Sequence, residues 1–290
     1  MPASSSAAEL FNASSLALIG ELHLRFEPQL QHLLEARSDR QSALDSGAWP
    51  TSLPSGDEQE WEVPRIPQDL RDRRVELHCD ANDSKFVQAF ETAASTLLVD
   101  LAELLPVPAG ALLAQRTLRD TLRDRTGADG KTVVFGPRNL GAHETMLSWG
   151  TNAAHAALVD IALYLQNNAV ISEVLGLRLG QLESVAEAEL WRDIFGFLEA
   201  KGVVSPGQIK ATLAVESVPA LFDIDSIMRA LGNYTVALGL DHHACMGSFV
   251  RSFRCYPQFI LPDRNELTDD VHFLRSWNIL LVQHAHRHGA

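Results

Sequence analysis

The sequence predicts an α/β protein with a parallel sheet, because strand-like and helix-like stretches alternate along most of its 290 residues. Short β-rich runs lie near residues 97, 133, 178, 210, 237 and 259. A closed barrel of alternating strands and helices needs eight strands, so about six runs predict a partial TIM-type (β/α) barrel. Two consecutive runs lead into the carboxylates Glu183 and Glu216, at the strand ends where such barrels carry their functional groups. These carboxylates predict a divalent cation site or acid–base chemistry.

The composition is that of an ordinary globular protein, with 46% hydrophobic and 21% charged residues. The formal net charge of −13 disfavours binding to nucleic acid or to an anionic membrane surface. No apolar run approaches the roughly 20 residues of a membrane span, and the absence of Lys and Arg near the N-terminus argues against a secretory signal. Three scattered cysteines argue against a disulfide framework, so we expect a cytoplasmic protein.

Apolar periodicity predicts helices at residues 16–43, 83–94, 153–166, 225–231, 249–253 and 271–286. A short strand at 73–77 precedes six sheet strands, predicted at 96–100, 132–136, 175–179, 209–215, 236–240 and 258–261, with a polar connector at 118–125. We expect Pro28 to kink or split the first helix. The Ala/Ser-rich residues 1–14 are expected to be frayed, and the Pro-rich residues 45–70 to form a linker anchored by Trp49 and Trp61.

The segment between the two strand-end carboxylates carries the clearest helix signals. Ser184 and Glu187 have the S-x-x-E spacing of a capping box, in which each side chain accepts from the other residue's amide. Apolar residues then recur every three to four positions, which predicts one buried face. Gly202 stands where a left-handed C-cap is required, so the helix is expected to end just before it.

Four collinear stretches of the sequence resemble the malate synthase family. QLES, ELW-x-DIF and IKATLAVES, between residues 181 and 217, are similar to the family's PKLES, LW-x-D-F and IKATVLIET. The other three stretches are ELHLRFEPQLQHLLEARSDRQ (21–41), RIPQDLRDRRVEL (65–77) and FRCYPQFILPDR (253–264). The resemblance spans most of residues 15–290.

The resemblance implies a domain organisation. Residues 1–72 are expected to form an N-terminal helical clasp and Pro-rich linker, and residues 73–290 an incomplete β/α barrel domain. The family continues with two further strands and a C-terminal helical domain, which this sequence lacks. We therefore expect unpaired edges on the first and sixth strands, and hence a homo-oligomer, a complementing chain or aggregation.

The resemblance also implies a chemistry. Malate synthases condense acetyl-CoA with glyoxylate to give malate in the glyoxylate cycle, and then hydrolyse the thioester. The reaction needs a base that removes a methyl proton, a Mg²⁺ that holds and polarises glyoxylate, and an arginine that stabilises the enolate. This chain is accordingly expected to be a malate-synthase-like acyltransferase.

The metal ligands are carried over only in part. Glu216 matches the family's metal-binding glutamate in IKAT-x-x-x-E, which implies Mg²⁺. The second ligand belongs to the family motif GLNCGRWDY, where this sequence has the shorter GLDHHAC (239–245). Asp241, His242 or His243 could substitute, and imidazole would shift the preference from Mg²⁺ towards Zn²⁺, Mn²⁺ or Fe²⁺. Alternatively, this loop has diverged and binds nothing.

The catalytic arginine is the first one in the family's VRPRGWH. Alignment on Pro137 places Gly136 at its position and Arg138 at that of the second arginine. A local shift could bring Arg138 into the site, but Gly136 is the direct interpretation. The family's base lies in the C-terminal region that is absent here, so the isolated chain is expected to be impaired or inactive.

Two further carboxylates are candidates for substrate or cofactor binding. Glu103 retains the glutamate of the family's ADFEDS, with leucine in place of the following aspartate. Glu183 retains that of PKLES, with Gln181 in place of lysine.

The C-terminal histidines offer a separate possibility. Residues 284–288 read H-A-H-R-H, and alternating histidines can chelate a metal, although a frayed tail after a helix is the expected structure.

Three functional hypotheses follow from the whole sequence. The chain is an acyltransferase of malate-synthase type, completed by a second chain if one is needed; or a non-catalytic pseudoenzyme that binds a partner or ligand; or a repurposed metal-dependent lyase or condensing enzyme.

Overall fold

The computed structural model describes residues 8–51, 61–103, 109–125, 130–169, 173–268 and 270–290. No helix in these ranges is long and apolar enough to cross a membrane. The chain divides into two compact units, each made of three segments. Unit 1 comprises Met1–Pro28, Ile66–Arg178 and Ile194–Ala211. Unit 2 comprises Gln29–Arg65, Leu179–Asp193 and Thr212–Ala290.

The strands confirm the α/β prediction. In chain order they are β1 (Glu76–His78), β2 (Thr96–Asp100), β3 (Thr132–Gly136), β4 (His143–Trp149), β5 (Asn152–His155), β6 (Leu175–Leu179), β7 (Ile209–Ala214) and β8 (Thr235–Gly239). Six of them form one sheet in the order β1-β2-β3-β6-β7-β8. Strands β1, β2, β3 and β6 pair in parallel, and the register sets Asp100 at the end of β2 opposite Gly136 at the end of β3.

The identity of one strand was predicted wrongly. Residues 258–261 are not a strand: Pro257–Phe259 is a 3-10 helix, and the sheet instead includes β1, which had been predicted as a preceding short strand. Pro257 and Pro262 flank the stretch and lack the amide donors that a strand needs. The ring of Phe259 packs against Phe249 and Phe253, so its apolar character serves an aromatic cluster rather than a sheet.

The helices in chain order are α1 (Ala13–Asp45), α2 (Phe86–Ala89), α3 (Gly110–Asp124), α4 (Ala156–Asn168), α5 (Val185–Ala200), α6 (Val218–Phe222), α7 (Ile224–Leu231), α8 (His242–Phe253) and α9 (His272–His288). Helix α1 runs through Pro28 without interruption, so the predicted split is wrong. Its start is ordered by a reciprocal cap, in which the amides of Asn12 and Ser15 each donate to the other's side-chain oxygen. The predicted fraying therefore does not hold for residues 8–14, and residues 1–7 lie outside the described part.

Unit 1 is held together by apolar packing around β2 and β3. Leu97, Leu98 and Phe135 are fully buried, and the ring of Phe135 stacks on Tyr164 of α4 at 4.1 Å between centroids. Helix α3 replaces the polar connector predicted at 118–125, because Leu118 and Leu122 lie on its buried face among charged neighbours. Strands β4 and β5 form an antiparallel hairpin that was not predicted.

One helix of unit 1 is shorter than predicted. Residues 83–94 were expected to be helical, but α2 covers only Phe86–Ala89. The hydroxyl of Thr92 donates to the carbonyl of Ala89 at 2.8 Å. A side chain that occupies a backbone acceptor in this way competes with the helix, which explains the early end.

The predicted signals of α5 are found at both of its ends, the first in unit 2 and the second in unit 1. The amide of Glu187 donates to Ser184 Oγ at 3.4 Å, whereas the Glu187 carboxylate accepts from the amide of Glu183, one residue earlier than in a standard capping box. Gly202 has a φ of 70°, and the amide of Val203 donates to the carbonyl of Leu198. Together with the bond from the amide of Gly202 to the carbonyl of Glu199, this bond forms a Schellman motif, which explains why glycine is needed there.

One apolar cluster of unit 2 lies among α6, α8 and α9. It consists of Val218, Cys245, Met246, Leu274 and Trp277. The indole N–H of Trp277 donates to the carbonyl of Val215 at 2.9 Å, so the polar group of this buried ring has a hydrogen-bond partner. Trp49 contacts Tyr256 at 5.5 Å between ring centroids, and Trp61 stacks on His288 at 4.0 Å, which confirms both tryptophans as anchors.

Candidate functional site

The end of β3 in unit 1 is shaped by a missing side chain. A Cβ on Gly136 would lie 2.5 Å from Asp100 Cγ, closer than any real Cβ contact. Asp100 ends the neighbouring strand and is buried, and its Oδ2 accepts from Arg178 at 2.7 Å. Burial raises the pKa of Asp100 above its ordinary value, while the Arg178 guanidinium pulls in the opposite direction. Position 136, at which the resemblance implies an arginine, is therefore packed against a carboxylate.

Arg138 is committed to a buried ion network. Its Nε and Nη2 donate to the two carboxylate oxygens of Asp160 at 2.8 and 2.7 Å, and Nη2 also donates to Glu144 at 2.8 Å. The amide of Arg138 adds a third bond to Asp160, and Gln115 donates to the same carboxylate. Burial alone would lower the pKa of Arg138, but the two carboxylates outweigh it and raise that pKa. This guanidinium holds α4 and the β4–β5 hairpin in unit 1.

Glu103 lies three residues beyond β2 and is exposed. Its carboxylate contacts His78 Nδ1 at 3.3 Å, and Glu76 lies on the other side of the same imidazole. Hydrogen bonds to Glu76 and Glu103 raise the pKa of His78, against a smaller opposing effect of burial. Glu103 thus stands in an exposed cluster of two glutamates and one histidine. The stretch 104–108 that follows is outside the described residues.

In unit 2, Glu183 is a buried carboxylate held between two arginines. It accepts from Arg40 at 3.0 Å and from Arg251 at 2.7 Å. Four residues later, Glu187 accepts two bonds from Arg37, at 2.8 and 2.7 Å. Arg40 and Glu183 also line a cavity of about 580 Å³, whose apolar wall includes Trp49. The cavity combines charged and aromatic side chains, as ligand pockets do.

Glu216 follows β7 and is 4% exposed. One of its oxygens accepts from the amide of Gln181 at 3.3 Å. Gln181 has a φ of 55°, a conformation that is uncommon for a residue with a side chain and that aims its amide at the carboxylate. The two carboxylates predicted from the sequence, Glu183 and Glu216, are thus both buried in unit 2. Glu216 is bonded to the strained residue Gln181.

Asp241, His242 and His243 do not form a loop, as was expected, but the start of α8. Asp241 is the N-cap residue, and its Oδ1 accepts from the amide of Ala244 at 2.8 Å. His242 Nε2 contacts the side-chain amide of Asn278 at 3.2 Å, and His243 Nε2 contacts Arg264 at 3.4 Å. The imidazoles therefore have different partners, and that of His243 is a cation.

The donor set of unit 2 is compatible with a hard cation. Burial, together with the negative charges of Glu216 and Asp241, raises the pKa of the Cys245 thiol to about 12. Two carboxylates that act on one sulfur produce a negative field, and carboxylate oxygens are the ligands that Mg²⁺ prefers. Of the predicted ligands, Glu216 and Asp241 suit such an ion, whereas the imidazoles of the α8 start are engaged elsewhere.

Some residues of these sites were missed by the sequence analysis. Asp100 and Asp160 were not singled out, although Asp100 ends a predicted strand, where functional groups collect. Arg178 was also missed, although an arginine within an otherwise apolar strand signals a buried partner. Asp160 lies within a helix that is apolar on every side, and a charged residue in such a helix carries the same signal.

A six-stranded sheet with carboxylates beyond its strands defines an α/β protein of the incomplete-barrel class. The sequence profile for the TIM barrel domain of malate synthase matches residues 133–290, and that for the malate synthase N-terminal domain matches residues 1–58. The chain belongs to the malate synthase family, and the prediction of a partial TIM-type barrel is confirmed.

Individual relatives agree with this assignment. Malate synthase A of Escherichia coli K12 is 29% identical over 97% of this chain, and malate synthase of Streptomyces clavuligerus is 30% identical over 97%. The glyoxysomal malate synthase of Candida tropicalis is 28% identical over 99%. The chain spans 57%, 57% and 56% of these relatives, respectively, so it corresponds to little more than half of their length.

Proposed function

We propose that this chain binds the substrates of the malate synthase reaction, acetyl-CoA and glyoxylate, and that its turnover as an isolated chain is impaired or absent. Membership of the malate synthase family supports the binding role, and one observation carries the impaired turnover. Gly136 offers no guanidinium at the family position, and the neighbouring Arg138 already neutralises Asp160 and Glu144. A cation lowers the energy of a developing enolate only if its charge is available to that enolate.

The expected loss of rate is large enough to count as impairment. Removal of one electrostatic stabiliser of this kind costs roughly 10²–10³ in rate. Arg178 in β6 is another guanidinium of unit 1, but it donates to Asp100. Its charge is therefore offset by a buried carboxylate, which argues against Arg178 as a full replacement.

A Mg²⁺ ion, if bound, would be held by Glu216 and Asp241. It would supply the polarisation of the oxo group of glyoxylate. Glu216 offers a buried carboxylate, and Asp241 offers the oxygen that does not cap α8. Arg40 and Arg251 keep Glu183 in place beside the cavity and neutralise its charge, so that an anionic ligand could enter there.

The test measures the release of free thiol from acetyl-CoA in the presence of glyoxylate and Mg²⁺. We expect a rate at background for this chain, with a full-length malate synthase as the positive control. Calorimetric titration with glyoxylate then tests binding separately, with Glu216→Gln as the variant that weakens it and the exposed Glu91→Gln as the matched control. Robust thiol release that depends on glyoxylate would overturn the impairment, and an absence of glyoxylate binding would overturn the binding role.

A non-catalytic scaffold is the second candidate, and the same arginine observation favours it. Under this alternative the chain binds a partner or ligand without turnover, as a homo-oligomer or with a complementing chain. Light scattering of the purified protein, alone and with a candidate chain, distinguishes these arrangements. A cytoplasmic location is part of both candidates, because all three cysteines are free.

A further inference from the structure

Three ligand-type side chains converge in unit 2. Asp225 lies in the first turn of α7, and His284 and His288 lie one turn apart near the end of α9. One ligand atom from each of the three lies within 4.8 Å of the other two. We propose that Asp225, His284 and His288 bind a first-row divalent transition metal ion of the Zn²⁺ type. This inference does not depend on the proposed function.

The hydrogen bonds of His288 carry the argument. Its Nδ1 lies 3.0 Å from the carbonyl of Trp61, which can only accept, so Nδ1 bears a proton. In the neutral ring, Nε2 then presents a lone pair, and it faces Asp225 Oδ1 at 2.9 Å. Two lone pairs at this distance repel each other unless a proton or a metal ion bridges them. A backbone carbonyl on the far nitrogen is also the usual second partner of a metal-bound histidine.

The position of His288 is fixed by its surroundings. The imidazole ring of His288 is buried and stacks on Trp61 at an interplanar angle of 13°. The backbone carbonyl of His288 accepts from the amide of Val63 at 2.9 Å. A histidine that is held by packing and by backbone hydrogen bonds loses little conformational freedom when it coordinates an ion, which favours ion binding. The tail is therefore an ordered helix, and the fraying expected from the sequence is wrong.

His284 completes the set from the same face of α9. Residues four apart lie above one another on a helix, and His284 Nδ1 faces the same oxygen of Asp225 at 2.5 Å. A tetrahedral ion with bonds of about 2.0 Å separates its ligand atoms by about 3.3 Å, so both imidazoles would withdraw from Asp225 by less than about 1 Å. His286 lies on the exposed side of the helix, where it cannot join them.

The charges around the site allow either a metal or a proton. Both imidazoles approach the same oxygen of Asp225, and a carboxylate is the ordinary form of this side chain at neutral pH. Arg287 Nη1 lies 3.4 Å from Asp225 Oδ2, and its side chain is 62% exposed. This arginine can turn away into solvent when an ion binds. Without a metal ion, one of the two imidazoles would carry a second proton and donate it to Asp225. This protonated pair is the rival outcome of the test.

The ligand chemistry selects the ion. Two imidazoles and one carboxylate favour Zn²⁺ and its neighbours over Mg²⁺. Three protein ligands leave a fourth position for water. The ion would join the start of α7 to the last turn of α9 and, through His288, to the segment at Trp61 and Val63. We therefore assign it a structural role in unit 2.

The experiment titrates Zn²⁺ into chelator-treated protein by calorimetry. We expect one ion per chain for the wild type and for His286→Gln, which is the matched control from the same tail. His284→Gln and Asp225→Asn should weaken binding by roughly 100-fold or more, since loss of a direct ligand costs at least as much as loss of its outer partner. Circular dichroism checks that each variant is folded.

A second readout uses Co²⁺ on the wild type, where no variant has to fold. Intense visible absorption bands of a tetrahedral ion, removed by excess Zn²⁺, support the site. The proposal is overturned if Zn²⁺ does not bind, if His286→Gln weakens binding as much as His284→Gln, or if Asp225→Asn has no effect. A protonated imidazole paired with Asp225 would then explain the cluster.

Discussion

Gly136 and Asp100 end neighbouring strands, and the missing side chain of the first makes room for the carboxylate of the second. The register pairs the two residues directly, and Asp100 Cγ occupies the space of a Cβ on residue 136. The glycine at position 136, where the resemblance implies an arginine, is thus part of the local packing. It cannot be treated as an isolated substitution on a surface.

The first prediction concerns this contact. Gly136→Ala should lower the free energy of unfolding by about 1–3 kcal/mol, because an added methyl in a packed site forces its neighbours to move. Gly239→Ala is the control, since it changes the last residue of β8, where a Cβ would meet only Thr212 at 3.4 Å. Urea unfolding measures both. Equal effects of the two substitutions would contradict the close contact.

The second prediction concerns the buried pair that Gly136 accommodates. Arg178→Met should destabilise the protein by about 3–5 kcal/mol at neutral pH, because Asp100 would be left as an unpaired buried charge. Arg74→Met, which breaks an exposed pair with Asp72, should leave the stability nearly unchanged.

The loss of stability in Arg178→Met should also depend on pH. The pKa of Asp100 is already raised in the folded protein, and the loss of Arg178 would raise it further. A carboxyl group with a raised folded pKa favours folding below its unfolded pKa, about 3.9, and this contribution is lost as the pH rises through the folded value. Urea unfolding of Arg178→Met should therefore show a smaller deficit in mildly acidic buffer than at pH 7. A deficit independent of pH would argue against an ionised Asp100.

The third prediction separates capping from metal binding at Asp241. Asp241→Ala should cost about 0.5–2 kcal/mol, because α8 loses the side chain that caps it. Asp241→Asn keeps a capping oxygen and should stay near wild-type stability, yet it should lose any stabilisation by added Mg²⁺. Thermal melts with and without Mg²⁺ measure both effects, with Glu216→Gln as the second ligand variant. Equal Mg²⁺ shifts in all four proteins, or none in the wild type, would exclude this pair of carboxylates as the metal site.

The fourth prediction concerns His23, which is buried in unit 1. Its Nδ1 contacts the carbonyl of Ile19 at 2.8 Å, and its Nε2 accepts from the amide of His155 at 3.0 Å, which requires a neutral ring. Burial lowers the pKa of His23, so the unfolded chain takes up a proton first. Stability should therefore decrease as the pH falls below about 6.5, the unfolded value.

His23→Gln should reduce this pH dependence, even if it lowers stability at pH 8. The exposed His32→Gln should retain the wild-type dependence. Denaturant unfolding between pH 5 and pH 8 gives the two slopes. An unchanged slope in His23→Gln would show that other groups govern the acid sensitivity, and His155, whose pKa is also lowered by burial, would be the next candidate.

Local signals in the sequence were sufficient where one residue fixes one backbone feature. Gly202 was placed correctly, because only glycine adopts its left-handed φ without strain. The strands at 96–100 and 132–136 were also correct, since their β-rich composition agrees with their burial. The stretch 258–261 has the same composition, but prolines on both sides and an aromatic cluster determine its structure.

The site required information that no local pattern contains. The carboxylate of Glu183 was visible in its motif, but its partners Arg40 and Arg251 lie 143 and 68 residues away. The histidines at 284 and 288 form a visible pattern in the sequence, yet Asp225, which lies close to both of them, belongs to another helix. Helix α3 was missed for a different reason: the charged residues between Leu118 and Leu122 obscured the apolar spacing.

The contact between residue 136 and Asp100 has a consequence for the order in which mutations can accumulate. An arginine introduced at position 136 alone would meet the Asp100 carboxylate before it could reach a substrate. Replacement of Asp100 alone would leave Arg178 as an unpaired buried cation. Each single step is therefore expected to be deleterious, and only a combined change opens a path back to the family motif. On the alignment that the resemblance implies, the glycine is thus expected to be kept in place by its neighbours, independently of any effect on catalysis.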